Sequence, residues 1–375
     1  MMKFFKKTAI VATSLLMLTA CGPKKPAEPE AGTTTDTKNA HKYAVVLNGN
    51  LGDKSFGDLV WNGITKATDE LKTTAKAVEL LNDATKQEPT LNELSEDKSW
   101  DLIVAGTFNL KEAIEKAAAK YPDQKFIAYD LALDFSDGKF PNVVSIMSKQ
   151  NEGSFLAGYL AAKMTSVKTE YTNEEKVIGF VGGGENAAIN DFLVGYIEGA
   201  KYADPEVKVL FSYIGSFSDS AKGKELALAQ YNQGADIVYA VAGGAGLGVL
   251  DASKQANKLS IGVDLDQAKI LEANDPETSK HVMTSVVKKL DVVLYNTIKS
   301  YEDGTIKWGE HSSAGLKEDG MGLADNEYYQ AIVPEELRKE VVEITNKIIS
   351  GEIKVATAIG LSTEEVNKIK DSASK

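Results

Sequence analysis

From His41 onward the chain alternates two kinds of segment. Short runs of β-branched and apolar residues, KYAVVLNG, AVELL, DLIVAG, KFIAYD and NVVSIM, are separated by stretches whose apolar positions recur at helical spacing. In LKEAIEKAAAKYP, for example, Ala113, Ile114, Ala117 and Ala118 share one helix face. The alternation restarts with KVIGFVGGG, VKVLFSYIG, ADIVYAVAGG and LSIGVD. Strands that are apolar nearly throughout, joined by helices, predict parallel sheets covered on both faces. The chain therefore reads as two similar α/β halves with MSKQNEGSFLAGYLAAKM between them. A further strand, HVMTSVVKK, and the helix LDVVLYNTIKSYEDG follow the second set, and their position predicts a return to the first half. The expected lobes are 41–149 plus about 287–315, and 150–286 plus about 316–375. Two lobes joined by several crossings form a hinge, and the cleft between them is where a small ligand binds.

The first forty residues follow a different pattern. Lys3, Lys6 and Lys7 precede the apolar run TAIVATSLLMLTA, the charged-then-apolar layout of an export signal. That run is too short, with the wrong flanks, for a membrane span. It ends at Leu18-Thr19-Ala20-Cys21, similar to the lipobox at which bacterial lipoproteins are cut and then lipidated on the cysteine. Residues 1–20 are thus expected to be a lipoprotein signal peptide and Cys21 the lipidation site, an ordinary signal peptide with an incidental cysteine being the alternative. GPKKPAEPEAGTTTDTKNA offers nothing to bury and reads as a flexible tether over 21–40. The mature protein is expected outside the cytoplasm, anchored to the bacterial cell membrane by acyl chains that contribute about 0.8 kcal/mol per buried methylene.

Composition narrows the chemistry. Cys21 is the single cysteine, so no internal disulfide or thiolate metal cluster can form. Three histidines, His41, His281 and His311, show no metal-binding spacing, and neither metal nor cofactor is expected. The formal net charge of −12 argues against a nucleic-acid partner. Arg338, in the segment PEELRKEVVEITNKIISG, is the sole arginine. Sites that grip carboxylate or phosphate usually use the bidentate arginine fork, so phosphate, amino-acid and peptide ligands are disfavoured. GGAGLG lacks the spacing of a dinucleotide fingerprint, and no P-loop motif occurs.

In open α/β sheets the ligand side is the carboxyl end of the strands. After the first strand come Asn48, Asp53 and Phe56; FIAYD ends at Asp130. In the second half, Ser216, Phe217 and Asp219 follow one strand, Gly243 and Gly244 another, Asp264 a third, and Lys288 ends HVMTSVVKK. Each has a structural alternative. Asp53, Ser55 and Asp219 can cap helices, Asp130 and Asp264 can form turns, Phe56 can staple the following helix, Phe217 can fill a gap, and Lys288 can be solvated. Their position at equivalent strand ends of two halves favours a site. Two rings from opposing lobes suit a flat aromatic ligand, and ionised Asp suits N–H and O–H donors. Asn48 matches the mixed pattern of a base edge, and the glycines let backbone approach. A nucleoside satisfies all of these, whereas a nucleotide would meet carboxylates and no cluster of arginines.

GDKSFGDLVWNG, EGSFLAGYLAA, IGFVGG, GSFSDSAKGKELA, DIVYAVAGGAGLGV, IGVDLDQ and MTSVVKKLDV, in this order, resemble the basic membrane protein (BMP) family, the PnrA-like nucleoside-binding lipoproteins of ABC importers. The likeness runs from about Lys42 to VPEELRKEVVEITNKIISGEIKV. It implies a type I periplasmic-binding-protein fold, two α/β lobes with three hinge crossings. It also implies that Phe56 and Phe217 stack on the base, that Asn48 and Asp130 address its edge, and that Asp264 and Lys288 hold the ribose. Asp53 either contacts the ligand or shapes its loop. Gly52, Gly57 and Leu47 stand where relatives often carry acid, amide and acid. The function implied is a non-enzymatic substrate-binding lipoprotein that captures a nucleoside, with purines favoured. It would pass that nucleoside, as a monomer, to an ABC permease and its ATPase. A two-lobed sensor, or a surface-anchored nucleoside-processing enzyme, is the alternative. The nearest approach to an enzyme's metal-binding carboxylates is DLALDFSD, with Asp130, Asp134 and Asp137, which reads as an acidic loop.

Overall fold

A computed structural model describes residues 40–373. The signal segment, Cys21 and all but the last residue of the tether lie outside the described residues. The strands are β1 (Lys42–Leu47), β2 (Thr74–Glu79), β3 (Leu102–Gly106), β4 (Phe126–Tyr129), β5 (Val143–Ser148), β6 (Val177–Gly182), β7 (Lys208–Tyr213), β8 (Ala235–Val241), β9 (Leu259–Asp264), β10 (Val282–Lys288), β11 (Glu310–Ala314) and β12 (Met321–Leu323). They form two six-stranded sheets, in the orders β11-β5-β4-β3-β1-β2 and β12-β10-β9-β8-β6-β7. All pairings are parallel except β10 with β12.

The continuous apolar strands are explained by cover on both faces. Five of the six residues of β1 are buried, and every residue of β3, β5, β6, β8 and β9 is. On the first sheet, helices Phe56–Leu71 and Leu290–Glu302 cover one face, and Ala84–Glu96 with Lys111–Lys120 cover the other. Ala113, Ile114, Ala117 and Ala118 make the buried face of Lys111–Lys120. On the second sheet, Gln150–Met164, Ala187–Ala203 and Glu335–Ser350 cover one face, and Ser220–Asn232, Gly246–Ala256 and Gln267–Glu272 the other. Trp61, Trp100 and Trp308 all pack against the cores of the first sheet.

The chain leaves the first sheet after β5, returns after β10, and leaves again between β11 and β12. β10 keeps Val287 and Lys288 in the second sheet, so the return begins at Lys289, just past the boundary read from the sequence. Backbone bonds tie these crossings: Lys149 N–H donates to Ala314 carbonyl (3.0 Å) and Lys289 N–H to Gly320 carbonyl (2.9 Å). Among the described residues no helix is long and apolar enough to cross a membrane.

Candidate ligand-binding site

The first wall begins at Asn48, at the end of β1. Its side-chain amide donates to Asn82 Oδ1 (3.2 Å) and accepts from Gln87 Nε2 (2.9 Å), which fixes which way it faces. The loop that follows is shaped by two carboxylates. Asp58 accepts from the N–H groups of Gly52 (2.7 Å) and Lys54 (2.9 Å). Asp53 accepts from those of Ser55 (3.0 Å), Gly57 (2.8 Å) and Asp58 (3.2 Å). Asp53 therefore satisfies the free N–H groups at the start of helix Phe56–Leu71, the role its neighbour Ser55 would ordinarily take. Ser55 is fully buried at the N-cap and spends its hydroxyl elsewhere, donating to Asp264 Oδ2 (2.5 Å). A side chain at Gly57 would place its Cβ 2.3 Å from the Asn50 carbonyl, so this loop conformation requires glycine there.

Phe56 opens the helix and leans on Tyr129, with ring centroids 6.1 Å apart at 40°. Asp130 follows β4 with φ +55°, and Asp264 ends β9, the matching strand of the other half, with φ +67°. Both aspartates are thus left-handed turn formers, a conformation Asp tolerates better than most residues, and both line the cavity.

The second wall supplies the charge that crosses the cleft. Lys288, 3% exposed, donates from Nζ to Asp130 Oδ1 at 2.8 Å. Its ammonium lies 5.1 Å from the ring centroids of both Phe56 and Phe192, within cation–π range. Phe217 packs so tightly on Gly183 that a Cβ there would sit 2.4 Å from its ring. Gln267 adds a further link between the halves, donating to the Lys54 carbonyl (3.1 Å).

Burial pushes the Asp264 carboxyl up to about 6, moderated by the Lys288 charge and the Ser55 hydroxyl, with Asp53 and Asp130 raising it further. Burial also raises the Asp53 carboxyl, against the lowering effect of its three backbone donors.

These residues enclose a cavity of about 140 Å³. Asn48, Asp53, Phe56, Asp130, Phe217, Gly243, Asp264 and Lys288 line it; Gly244 does not, and instead lies where an added Cβ would be 3.7 Å from Asp53 Cβ. Asp219 caps helix Ser220–Asn232 through the Lys222 N–H (2.9 Å) and is not part of the lining. Asp134 binds Lys139 (3.0 Å) and the Ser136 N–H (3.0 Å). Among the described residues no three His, Cys, Asp or Glu side chains converge as a metal site. Sequence reasoning missed Phe192, which reads as an ordinary core position of helix Ala187–Ala203, and Thr107 and Asn82, which also line the cavity.

Two like α/β halves meeting around an aromatic-lined cavity define a solute-binding protein of the type I periplasmic fold. A solved relative agrees: the solute-binding protein of an ABC transporter system from Aeropyrum pernix K1 matches with a TM-score of 0.78 and 28% identity, over 89% of this chain and 98% of that one. The family model described as ABC transporter substrate-binding protein PnrA-like matches residues 40–358, and the chain belongs to that family. Similar proteins include the ABC transporter nucleoside-binding protein BmpA of Lactococcus lactis subsp. cremoris, 32% identical over 93% of this chain and 97% of that one. Basic membrane protein A of Borreliella burgdorferi is 32% identical over 84% and 87%. The protein is therefore the extracytoplasmic substrate-binding component of an ABC transporter rather than an enzyme.

Proposed function

We propose that this protein captures a nucleoside in the cavity between its halves and delivers it, as a monomer, to the transporter's permease and ATPase, tethered to the membrane through a lipid on Cys21. The observation that carries the reading is the cavity lining: Phe56 and Phe217 come from opposite halves, with Asn48, Asp130, Asp264 and Lys288 among them. Aromatic faces bind a planar base by stacking, and buried carboxylates accept from ribose hydroxyls and base N–H groups. Lys288 is already engaged by Asp130, so a phosphate would face Asp53 and Asp264 with no cation to spare. A purine is the preferred base, because its two fused rings offer the larger stacking face. The similarity to a relative named for nucleoside binding supports the same class.

Calorimetric titration of the domain with nucleosides, free bases, nucleotides, sugars and amino acids tests this. Micromolar or tighter binding of nucleosides alone is expected. Tight binding of another class, with none of nucleosides, overturns the reading. Loss of lipid incorporation in Cys21→Ser cells tests the anchor separately.

A further inference from the structure

Thr107 stands where a glycine would be expected. It follows β3 with φ +82° and ψ 154°, a region that a β-branched residue enters only under strain. The backbone there is held from both sides: Thr107 N–H donates to the Tyr129 carbonyl (2.9 Å), and its own carbonyl accepts from Leu110 N–H (3.0 Å). Nothing in that bonding needs a side chain. The other half offers a comparison. Its matching strand, β8, also leads into a single turn of 3-10 helix, but there the residue just past the strand is Ala242 at φ −146°, and the positive φ (+54°) falls one residue later, on Gly243. One half places its positive φ on a glycine; the other places it on a threonine.

The threonine's hydroxyl has no partner to account for this. Thr107 Oγ1 is buried and makes no hydrogen bond. A buried hydroxyl left unpaired is unfavourable, and threonine adds it to a strained backbone. Yet Thr107 lines the cavity. β3 lies between β4 and β1, so the residue stands on the first wall between Asp130 and Asn48. Strain and unmet polarity at one lining position, flanked by two polar groups that remain part of the same wall, have one economical explanation.

We infer that Thr107 is a specificity-determining residue, whose hydroxyl hydrogen-bonds the polar edge of the bound ligand alongside Asn48 and Asp130. A hydroxyl can donate and accept at once, so it complements a heterocycle edge on which N–H and C=O or ring nitrogen adjoin. The inference rests on the nucleoside reading for the identity of that edge.

The test uses Thr107→Val, Thr107→Ser and Thr107→Gly, each measured for nucleoside affinity by calorimetry and for ligand-free melting temperature. Valine keeps the shape and loses the hydroxyl; affinity should fall roughly three- to tenfold, more for one base than another. Serine should stay within about twofold, given the same hydrogen-bonding capacity. Glycine should raise the ligand-free melting temperature by relieving φ, while binding as weakly as valine. If valine does not fold at this φ, glycine against serine makes the same cut, since both fit and one carries the hydroxyl. Unchanged affinity in the hydroxyl-free variants, or equal loss in serine, overturns the inference. Failure of the wild type to bind any nucleoside would instead overturn the nucleoside reading, so the two failures are distinguishable.

Discussion

Two lysine–aspartate pairs are sunk into this protein, and they are built to different ends. Asp236, wholly buried near the start of β8, takes Lys258 Nζ at 2.6 Å, Thr165 Oγ1 at 2.6 Å, Asn173 Nδ2 at 2.8 Å and the Asn173 N–H at 3.1 Å. Lys258 also donates to the Tyr171 carbonyl at 2.9 Å. Every side of that carboxylate is met within the second half. The Lys288–Asp130 pair is more deeply buried on the lysine side, its side chain 2% exposed against 19% for that of Lys258, yet has one hydrogen bond, at 2.8 Å, between strand ends of different sheets. An ion pair that only holds a fold saturates its hydrogen-bonding capacity, because each unmet valence in a low-dielectric interior is costly. A pair with capacity left over, facing a cavity, is arranged for a third party.

The sharpest way to break this contrast is to remove each lysine. Lys258→Met should lower unfolding free energy by about 3 kcal/mol, at the low end for breaking a buried pair because that lysine is partly exposed, and leave ligand affinity within twofold. Lys288→Met should do the reverse, weakening binding by about 2–3 kcal/mol for loss of a desolvated charge partner with a smaller change in denaturation midpoint. If both variants lose stability alone, the distinction fails. Next in size, Phe56→Ala and Phe217→Ala should each weaken binding by about 1–3 kcal/mol if each stacks on the base. Lost thermal stability with unchanged affinity would assign those rings to packing.

A pH titration sharpens the cross-cleft link. Asp264, raised to about 6 by burial, favours the protonated form in the ligand-free fold. Its contribution to stability is therefore lost as pH rises from the ordinary carboxylate range through about 6, and Asp264→Asn should melt higher than wild type at pH 7. Ligand hydroxyls donating to the ionised group pull the other way, so affinity should decline as pH falls below about 6, and the Asn variant should lack that decline. The smallest expected effect separates two residues of the same loop, Asp53 and Ser55. Asp53→Ala, which removes the acceptor at the helix start, should cost about 1 kcal/mol of stability. Ser55→Ala should spare the cap and instead alter the Asp264 titration.

Ten of the twelve strands were legible: eight because nearly all their residues are buried on both faces and so must be apolar in sequence, and the edge strands β2 and β7, with none and one of their residues buried, from the short apolar runs AVELL and VKVLFSYIG. The other two gave no such signal. β11, EHSSA, lies at a sheet edge with four of its five residues exposed, and β12 is three residues long, MGL, and antiparallel. The strand-end rule brought Asn48, Phe56, Asp130, Asp264 and Lys288 to one cavity wall or another, since parallel topology itself delivers carboxyl ends to one side. It could not find Phe192, which arrives from a helix interior, nor tell that Asp53 would serve the cap and Ser55 the cleft. Those assignments depend on which donor reaches which oxygen in three dimensions, and local sequence carries no record of that.

The distribution of the indole rings has a practical consequence for spectroscopy. All three tryptophans of the chain, Trp61, Trp100 and Trp308, pack in the first half, while the second half's buried aromatic cluster is tyrosine and phenylalanine, among them Phe180, Tyr196 and Tyr239. Emission excited at the red edge therefore watches one half alone. Far-ultraviolet circular dichroism sees both. Coincident transitions by the two signals would mean that the halves melt as a single cooperative unit; separated transitions would expose an intermediate with one half folded, and the tryptophan signal would say which.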